Sequence, residues 1–101
     1  MFPTEYHMTR VYRQGENIVS RNVAGESLLV PIRGHVADMQ KIFALDPVGE
    51  FIWNHLDGKL SLNDVLDELL ETFPVDRDLA GKDLTEFIDE LFQASLIEEV
   101  T

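Results

Sequence analysis

Residues 45–58 have the sequence LDPVGEFIWNHLDG, and within them the hydrophobic pattern changes from strand spacing to helical spacing. Asp46 can serve as a helix N-cap, and Pro47 suits the first helical position, where its missing N–H removes a donor that would have no partner. One face of the predicted helix carries Val48, Phe51, Ile52, His55 and Leu56. Because Asp57-Gly58 is typical of a helix end, we expect a helix that begins at Pro47 and ends there.

Two further helices are predicted between this segment and the C-terminus. Ser61 and Asp64 have the spacing of a capping box at the start of the second helix, and Pro74 stops it. The third helix begins within residues 76–79 and ends near Ala94-Ser95. Its apolar face comprises Leu84, Phe87, Ile88, Leu91 and Phe92. Residues 96–100 are expected to form a short extended piece.

The chain before Asp46 favours β-strands. Segments rich in β-branched and apolar residues span residues 18–24, 27–33 and 40–45. Pro31 cannot donate a ladder hydrogen bond, so we expect it on an outward-facing edge or at a bulge.

The order of these elements predicts an α+β fold with winged-helix-like architecture. A three-stranded antiparallel sheet is followed by a three-helix bundle, whose last two helices are joined by a short connection as in a helix-turn-helix. Residues 1–16 show no clear period and are predicted to be an N-terminal arm or irregular cap. Residues 17–101 are then the folded domain.

Composition excludes several classes of protein. The chain has 101 residues and no cysteine, so we expect one domain without disulfides, thiolate zinc sites or iron–sulfur clusters. It shows neither a secretion signal nor a run of about 18 apolar residues. A cytoplasmic protein with no membrane partner is therefore expected.

Charge is unevenly divided along the chain. The formal net charge is −11, and from residue 46 onward fifteen Asp and Glu stand against three Lys and Arg, a local charge of −12. The first 45 residues carry +1. Nucleic acids are bound mainly by clustered Lys and Arg, so we expect the acidic half to repel them. The acidity fits solubility alone and attraction of a basic partner equally well.

No catalytic or metal-binding pattern is recognisable. His7, His35 and His55 lie far apart in the sequence, and the single glycines form no phosphate-binding loop. Carboxylates on the predicted helices lie opposite the apolar stripes, where solvation is the ordinary state. Trp53 is expected to close the core rather than anchor an interface. We therefore expect no enzyme activity, no metal and no cofactor.

Residues 45–58 resemble the pattern L-N-x-x-G-x-x-I-W-x-x-L-D-G of PqqD-like proteins, and residues 83–91, DLTEFIDEL, resemble the closing helix of that family. The resemblance covers about residues 17–100. Asp46 stands where Asn is common and Ser95 where a helix-ending Gly is common, and both are compatible with capping. The family is named for protein D of pyrroloquinoline quinone (PQQ) biosynthesis and includes recognition elements for other ribosomally made, modified peptides (RiPPs).

The resemblance implies a non-catalytic peptide-binding protein, or peptide chaperone. Such a protein recognises the leader of a precursor peptide and presents it to a radical S-adenosylmethionine (radical SAM) enzyme or another peptide-modifying enzyme. In the family the leader adds as a strand beside the third strand and lies against the third helix. The corresponding residues of this chain are Gln40, Lys41, Ile42, Phe43, Ala44, Leu84, Phe87, Ile88 and Leu91. We expect a monomer or weak homodimer, and the pathway stays open.

The division of these residues between groove and core also stays open. Phe43 and Leu45 point to one face of the third strand, Ile42 and Ala44 to the other, and Phe43 and Leu45 are more easily assigned to the core. On the third helix, only two or three apolar residues are expected to line a groove.

Three alternatives compete with the function that the resemblance implies. A winged-helix nucleic-acid-binding protein is disfavoured because the exposed positions of the third helix are nearly all acidic, namely Glu86, Asp89, Glu90 and Gln93. A carrier protein needs a serine after aspartate at a helix start, and Asp-Ser occurs nowhere. A scaffold that docks only on the partner enzyme stays open.

Overall fold

Seven strands and three helices form the described part of the chain. The computed structural model describes residues 8–34, 36–37 and 41–100. The strands are β1 (Val11–Gln14), β2 (Ile18–Val23), β3 (Glu26–Arg33), β4 (Val36–Ala37), β5 (Phe43–Leu45), β6 (Asp57–Ser61) and β7 (Ile97–Val100). The helices are α1 (Pro47–Asn54), α2 (Leu62–Thr72) and α3 (Arg77–Gln93). The candidate residues His7, His35 and Gln40 lie outside the described residues.

The larger sheet is antiparallel and centres on β3. Strand β2 pairs along one side of β3, and β5 and β4 pair in succession along the other side. Strands β2, β3 and β5 form the expected three-stranded antiparallel sheet. Together with the three helices, they confirm the α+β, winged-helix-like fold.

Pro31 lies inside the central strand without breaking a ladder hydrogen bond. The N–H of Ile32 donates to the carbonyl oxygen of Asn17 on the β2 side, with an N···O distance of 2.8 Å. Because backbone groups alternate in direction along a strand, the nitrogen of Pro31 points to the opposite side. On that side, β5 pairs with β3 as far as Leu29, and β4 pairs with β3 from Ile32 onward. The Pro31 nitrogen therefore faces the space between these two strands. The expected edge or bulge is instead a gap between two partner strands, where no donor is needed.

A second antiparallel sheet has the strand order β6-β1-β7. Its central strand β1 pairs Arg13 with Asp57 of β6 and Tyr12 with Glu99 of β7. The expectation of irregular structure through residue 16 is therefore wrong for Val11–Gln14. A four-residue strand has too little length for a period to show, and its partners lie more than 40 residues away in the sequence. The extended piece expected near the C-terminus is confirmed as β7.

The helices begin where their caps predict. The N–H of Gly49 donates to Asp46 Oδ1 at 2.7 Å at the start of α1. The capping box of α2 is complete, because the Asp64 N–H donates to Ser61 Oγ at 3.2 Å and the Ser61 N–H donates to Asp64 Oδ2 at 3.1 Å. Helix α1 ends at Asn54, one turn earlier than expected.

Asp57, which was expected at the end of this helix, is instead the first residue of β6. Its carboxylate accepts hydrogen bonds from the backbone N–H groups of Leu60 and Lys59, and these bonds hold the pKa of the Asp57 carboxyl below its usual value.

The core lies between the larger sheet and the helices. It includes Leu29 and Leu45 from the sheet, Ile52 and Trp53 from α1, and the inward faces of α2 and α3. Trp53 is 2% exposed, which confirms its expected place in the core. Its carbonyl oxygen accepts a hydrogen bond of 2.8 Å from Gln14 Nε2, so β1 is attached to the same core.

Candidate functional site

The outer edge of β5 can accept a further strand. The N–H and C=O groups of Ser27 and Leu29 in β3 point to the same side as the Pro31 nitrogen, which is the side of β5. There Ser27 is opposite Leu45, and Leu29 is opposite Phe43. Because direction alternates, the N–H and C=O of Ala44 point away from β3. Among the described residues no strand pairs with that side of β5. One donor and one acceptor are therefore available at Ala44 for an incoming peptide.

Phe43 and Phe87 connect this edge with α3. Their ring centroids lie 6.1 Å apart at an interplanar angle of 61°, an edge-to-face contact, and both side chains are half-buried. Gly49 of α1 lies against Phe87, since a Cβ there would stand 3.3 Å from Phe87 Cζ and 3.2 Å from Asp46 Oδ1. A side chain at position 49 would crowd both groups, so glycine lets α1 approach α3 at the end of β5.

A cavity of about 390 Å³ opens between α1 and α3 beside Phe87. Its apolar lining includes Val48, Ile52, Leu69, Val75, Leu79 and Phe87. Leu79 and Val75 are 58% and 43% exposed, so part of this apolar surface faces solvent. Concave apolar sites of this size suit one or a few bulky side chains of a ligand.

The charged side chains of the cavity lining are all acidic. Asp46, Asp83, Glu86 and Glu90 all contribute to it, and no Lys or Arg does among the described residues. Asp83, Glu86 and Glu90 are exposed, whereas the Asp46 carboxylate is engaged as the N-cap of α1. The site is thus an apolar groove with a negative rim, which we call the α1–α3 groove.

The structure brings some of the predicted site residues together and separates others. Phe43 and Phe87 are in contact, and Ala44 is exposed at the edge. Before them in the chain, Lys41 is exposed and Ile42 is half-buried. Leu84 borders the groove from the core. Ile88 and Leu91 are 1% and 0% exposed and belong to the core cluster, and Gln40 lies outside the described residues.

Several groove residues were missed by reasoning from the sequence. Leu79, Asp83, Glu86 and Glu90 recur at intervals of four, three and four, which marks one stripe along α3. That stripe can be recognised in the sequence, but only the packing of α3 beside α1 shows that it borders a cavity. Val48 and Val75 carried no signal beyond ordinary hydrophobicity.

Comparison with known proteins identifies the family. The model of the family described as "Coenzyme PQQ synthesis protein D (PqqD)" matches residues 26–97. The chain belongs to the PqqD family. The matched segment contains β3, β5 and all three helices, so the open edge and the α1–α3 groove both lie within the PqqD region.

A solved structure with the same fold is described as TbiB1 in complex with the TbiA(beta) leader peptide. It is 27% identical to this PqqD-family chain, covers 85% of it and 94% of its own chain, and superposes with a TM-score of 0.67. A search of curated proteins finds no match.

Within residues 8–34, 36–37 and 41–100, no three His, Cys, Asp or Glu side chains are grouped so as to hold a metal ion. His55 instead stacks on Phe51 with a centroid distance of 4.1 Å, and its Nδ1 is 2.7 Å from the Phe51 carbonyl oxygen. None of the described helices has the length and apolar character needed to cross a membrane.

Proposed function

We propose that this PqqD-family protein binds the leader segment of a ribosomally synthesised precursor peptide and presents it to a modifying enzyme. The family assignment supports this role. So does the likeness to TbiB1, which was solved with a leader peptide and resembles this chain over most of both lengths. The protein itself is non-catalytic in this proposal, and its partner is a radical SAM enzyme or another peptide-modifying enzyme.

The leader adds as a strand to the outer edge of β5 in this proposal. The observation that carries it is the outward direction of the Ala44 backbone, next to the Phe43–Phe87 contact and the α1–α3 groove. Backbone hydrogen bonds then hold the peptide in register, and side chains that reach the groove provide selectivity. Lys41 and Ile42 lie directly upstream of this edge, and Leu84 and Phe87 form the wall. Gln40 is assigned to the same binding surface from the sequence alone.

The assembly and location of the protein follow from the same proposal. An edge strand that accepts a leader can also pair with a second copy, which is why a monomer or weak homodimer is expected. The precursor peptides and the enzymes that modify them are made in the cytoplasm, so a cytoplasmic location is part of the proposal.

Substitution of Ala44 by proline tests strand addition directly. Ala44→Pro removes the outward N–H without removing a bond to β3, and Ala44→Ser keeps that N–H at the same position. The ligand is the leader of a short precursor peptide found by sequencing the genes on either side, and the measurements are calorimetry and amide NMR titration. We expect Ala44→Pro to weaken binding at least about tenfold and Ala44→Ser to bind like the wild type.

Amide spectra of both variants establish that the fold is retained. Saturable shifts near Ala44 and Phe87 in the wild type support the proposed site. Wild-type affinity in a folded Ala44→Pro variant contradicts strand addition at β5. An absence of leader binding, with binding only to the modifying enzyme, favours the scaffold that docks on the enzyme.

A further inference from the structure

Three carboxylates of α3 lie in a row beside the α1–α3 groove. Asp83, Glu86 and Glu90 are separated by three and four residues, so they are neighbours on one helical face. All three are exposed and line the cavity. None of them forms an ion pair with another described residue, whereas Asp67, Glu98 and Glu99 each pair with an arginine. Their charges are therefore not paired with a cation among the described residues.

Apolar surface lies directly beside this row. Phe87, Val48 and Ile52 line the same cavity, and Leu79 continues the row of carboxylates one turn towards the start of α3 with 58% of its surface exposed. A ligand that fits the whole groove must place an apolar group in the cavity and a cation on its rim. Acidic groups alone would not define a site, but here they border a concave apolar cavity next to an open strand edge.

The dimensions of the row suit an extended peptide. The helix rises about 10 Å from Asp83 to Glu90. An extended strand covers that distance in about three residues, and its side chains two residues apart point the same way. An apolar residue and a basic residue at positions i and i+2 can therefore both face α3 while the residue between them faces away.

We propose that the α1–α3 groove selects a segment in which a bulky apolar residue and a Lys or Arg stand two residues apart. The apolar side chain fills the cavity beside Phe87, and the cation lies among the carboxylates of Asp83, Glu86 and Glu90. This inference rests on the proposed function, because it names the leader chemistry that the same edge would accept. The net charge of −12 from residue 46 onward favours the approach of such a peptide.

A random peptide library tests the selectivity without knowledge of the natural leader. The probe is a phage-displayed library of random 12-residue peptides, selected in parallel on three forms of the full chain. The first is the wild type, and the second is the rim variant D83N/E86Q/E90Q. The third is the control variant E16Q/E26Q/E71Q, which loses the same charge at exposed positions outside the groove.

We expect the wild type and the control variant to enrich peptides with an apolar residue and a Lys or Arg two positions apart. The rim variant should keep the apolar preference and lose the basic one. Replacement of the enriched Lys by Gln in a synthetic peptide should weaken binding to the wild type about fivefold and have little effect on the rim variant. This change in the peptide tests the contact even if the rim variant fails to fold.

The results separate this inference from the function on which it rests. Enrichment of apolar peptides without a basic residue overturns the inference and leaves peptide binding in place. Equal loss of the basic preference in the rim and control variants also overturns it, because the effect would then come from total charge. If no peptide is enriched above background and the precursor leader does not bind either, the proposed function itself fails.

Discussion

At the scale of single residues, the site depends on an aromatic contact between two elements that are distant in the sequence. Phe43 and Phe87 are each half-buried, so each contributes one surface to the core and leaves another exposed to solvent. Because Phe43 has both a buried and an exposed surface, the sequence pattern could not assign it to the core or to the groove alone. Ile88, the residue after Phe87, and Leu91, one helical turn further along α3, have no such free surface.

Phe87→Ala should weaken leader binding about tenfold or more, because it removes the groove wall beside the open edge. Phe92→Ala is a matched control on the same helix, since Phe92 is 51% exposed and contacts Tyr12 instead of the groove. Calorimetry with the leader peptide and urea unfolding measure both variants. Equal loss of affinity in the two variants would show that α3 acts through stability and not through the groove.

At the scale of the elements, β1 is the strand that the sequence did not predict. It lies between β6 and β7 and joins the N-terminal part of the chain to segments on either side of the last two helices. Tyr12 is 3% exposed and belongs to the core cluster, while Arg13 points outward and pairs with Glu98 at 2.8 Å. One strand thus carries a core residue and a surface residue side by side.

Tyr12→Ala should lower the free energy of unfolding by about 3 kcal/mol, because it leaves a cavity in the core. Arg13→Ala should lower it by less than about 1 kcal/mol, since the Arg13 and Glu98 side chains are 57% and 46% exposed. Urea denaturation of the full chain gives both values. A small effect of Tyr12→Ala would mean that β1 contributes little to the stability of the domain.

At the scale of the whole molecule, the negative charge argues against nucleic-acid binding. A winged-helix protein that reads DNA presents basic and polar residues from its recognition helix. Helix α3 instead presents Asp83, Glu86 and Glu90 on its exposed face. The fold therefore has the arrangement of a winged helix with the opposite surface charge.

A labelled DNA duplex of about 20 base pairs should show no change in anisotropy with this protein at about 50 mM salt, where phosphate contacts are strongest. The measurement needs a basic winged-helix protein as a positive control. Binding that weakens with added salt would contradict the expectation and revive the nucleic-acid alternative.

The sequence by itself determined the elements whose signals are local. The cap at Asp46-Pro47, the capping box at Ser61 and the 3.6-residue spacing of α2 and α3 all depend on neighbours within a few residues, and the structure has each of them. The strand segments of β2 and β3 and the motif at residues 45–58 were recognisable for the same reason.

Only the tertiary structure decided which surfaces meet. The sheet β6-β1-β7 joins segments more than 40 residues apart, and short strands with charged residues carry no period that could predict such pairing. The α1–α3 groove likewise exists because Gly49 allows α1 to approach Phe87, and the outward direction of Ala44 follows from the register of β5 on β3. Register and helix approach are properties of packed pairs, so no single segment of the sequence could specify them.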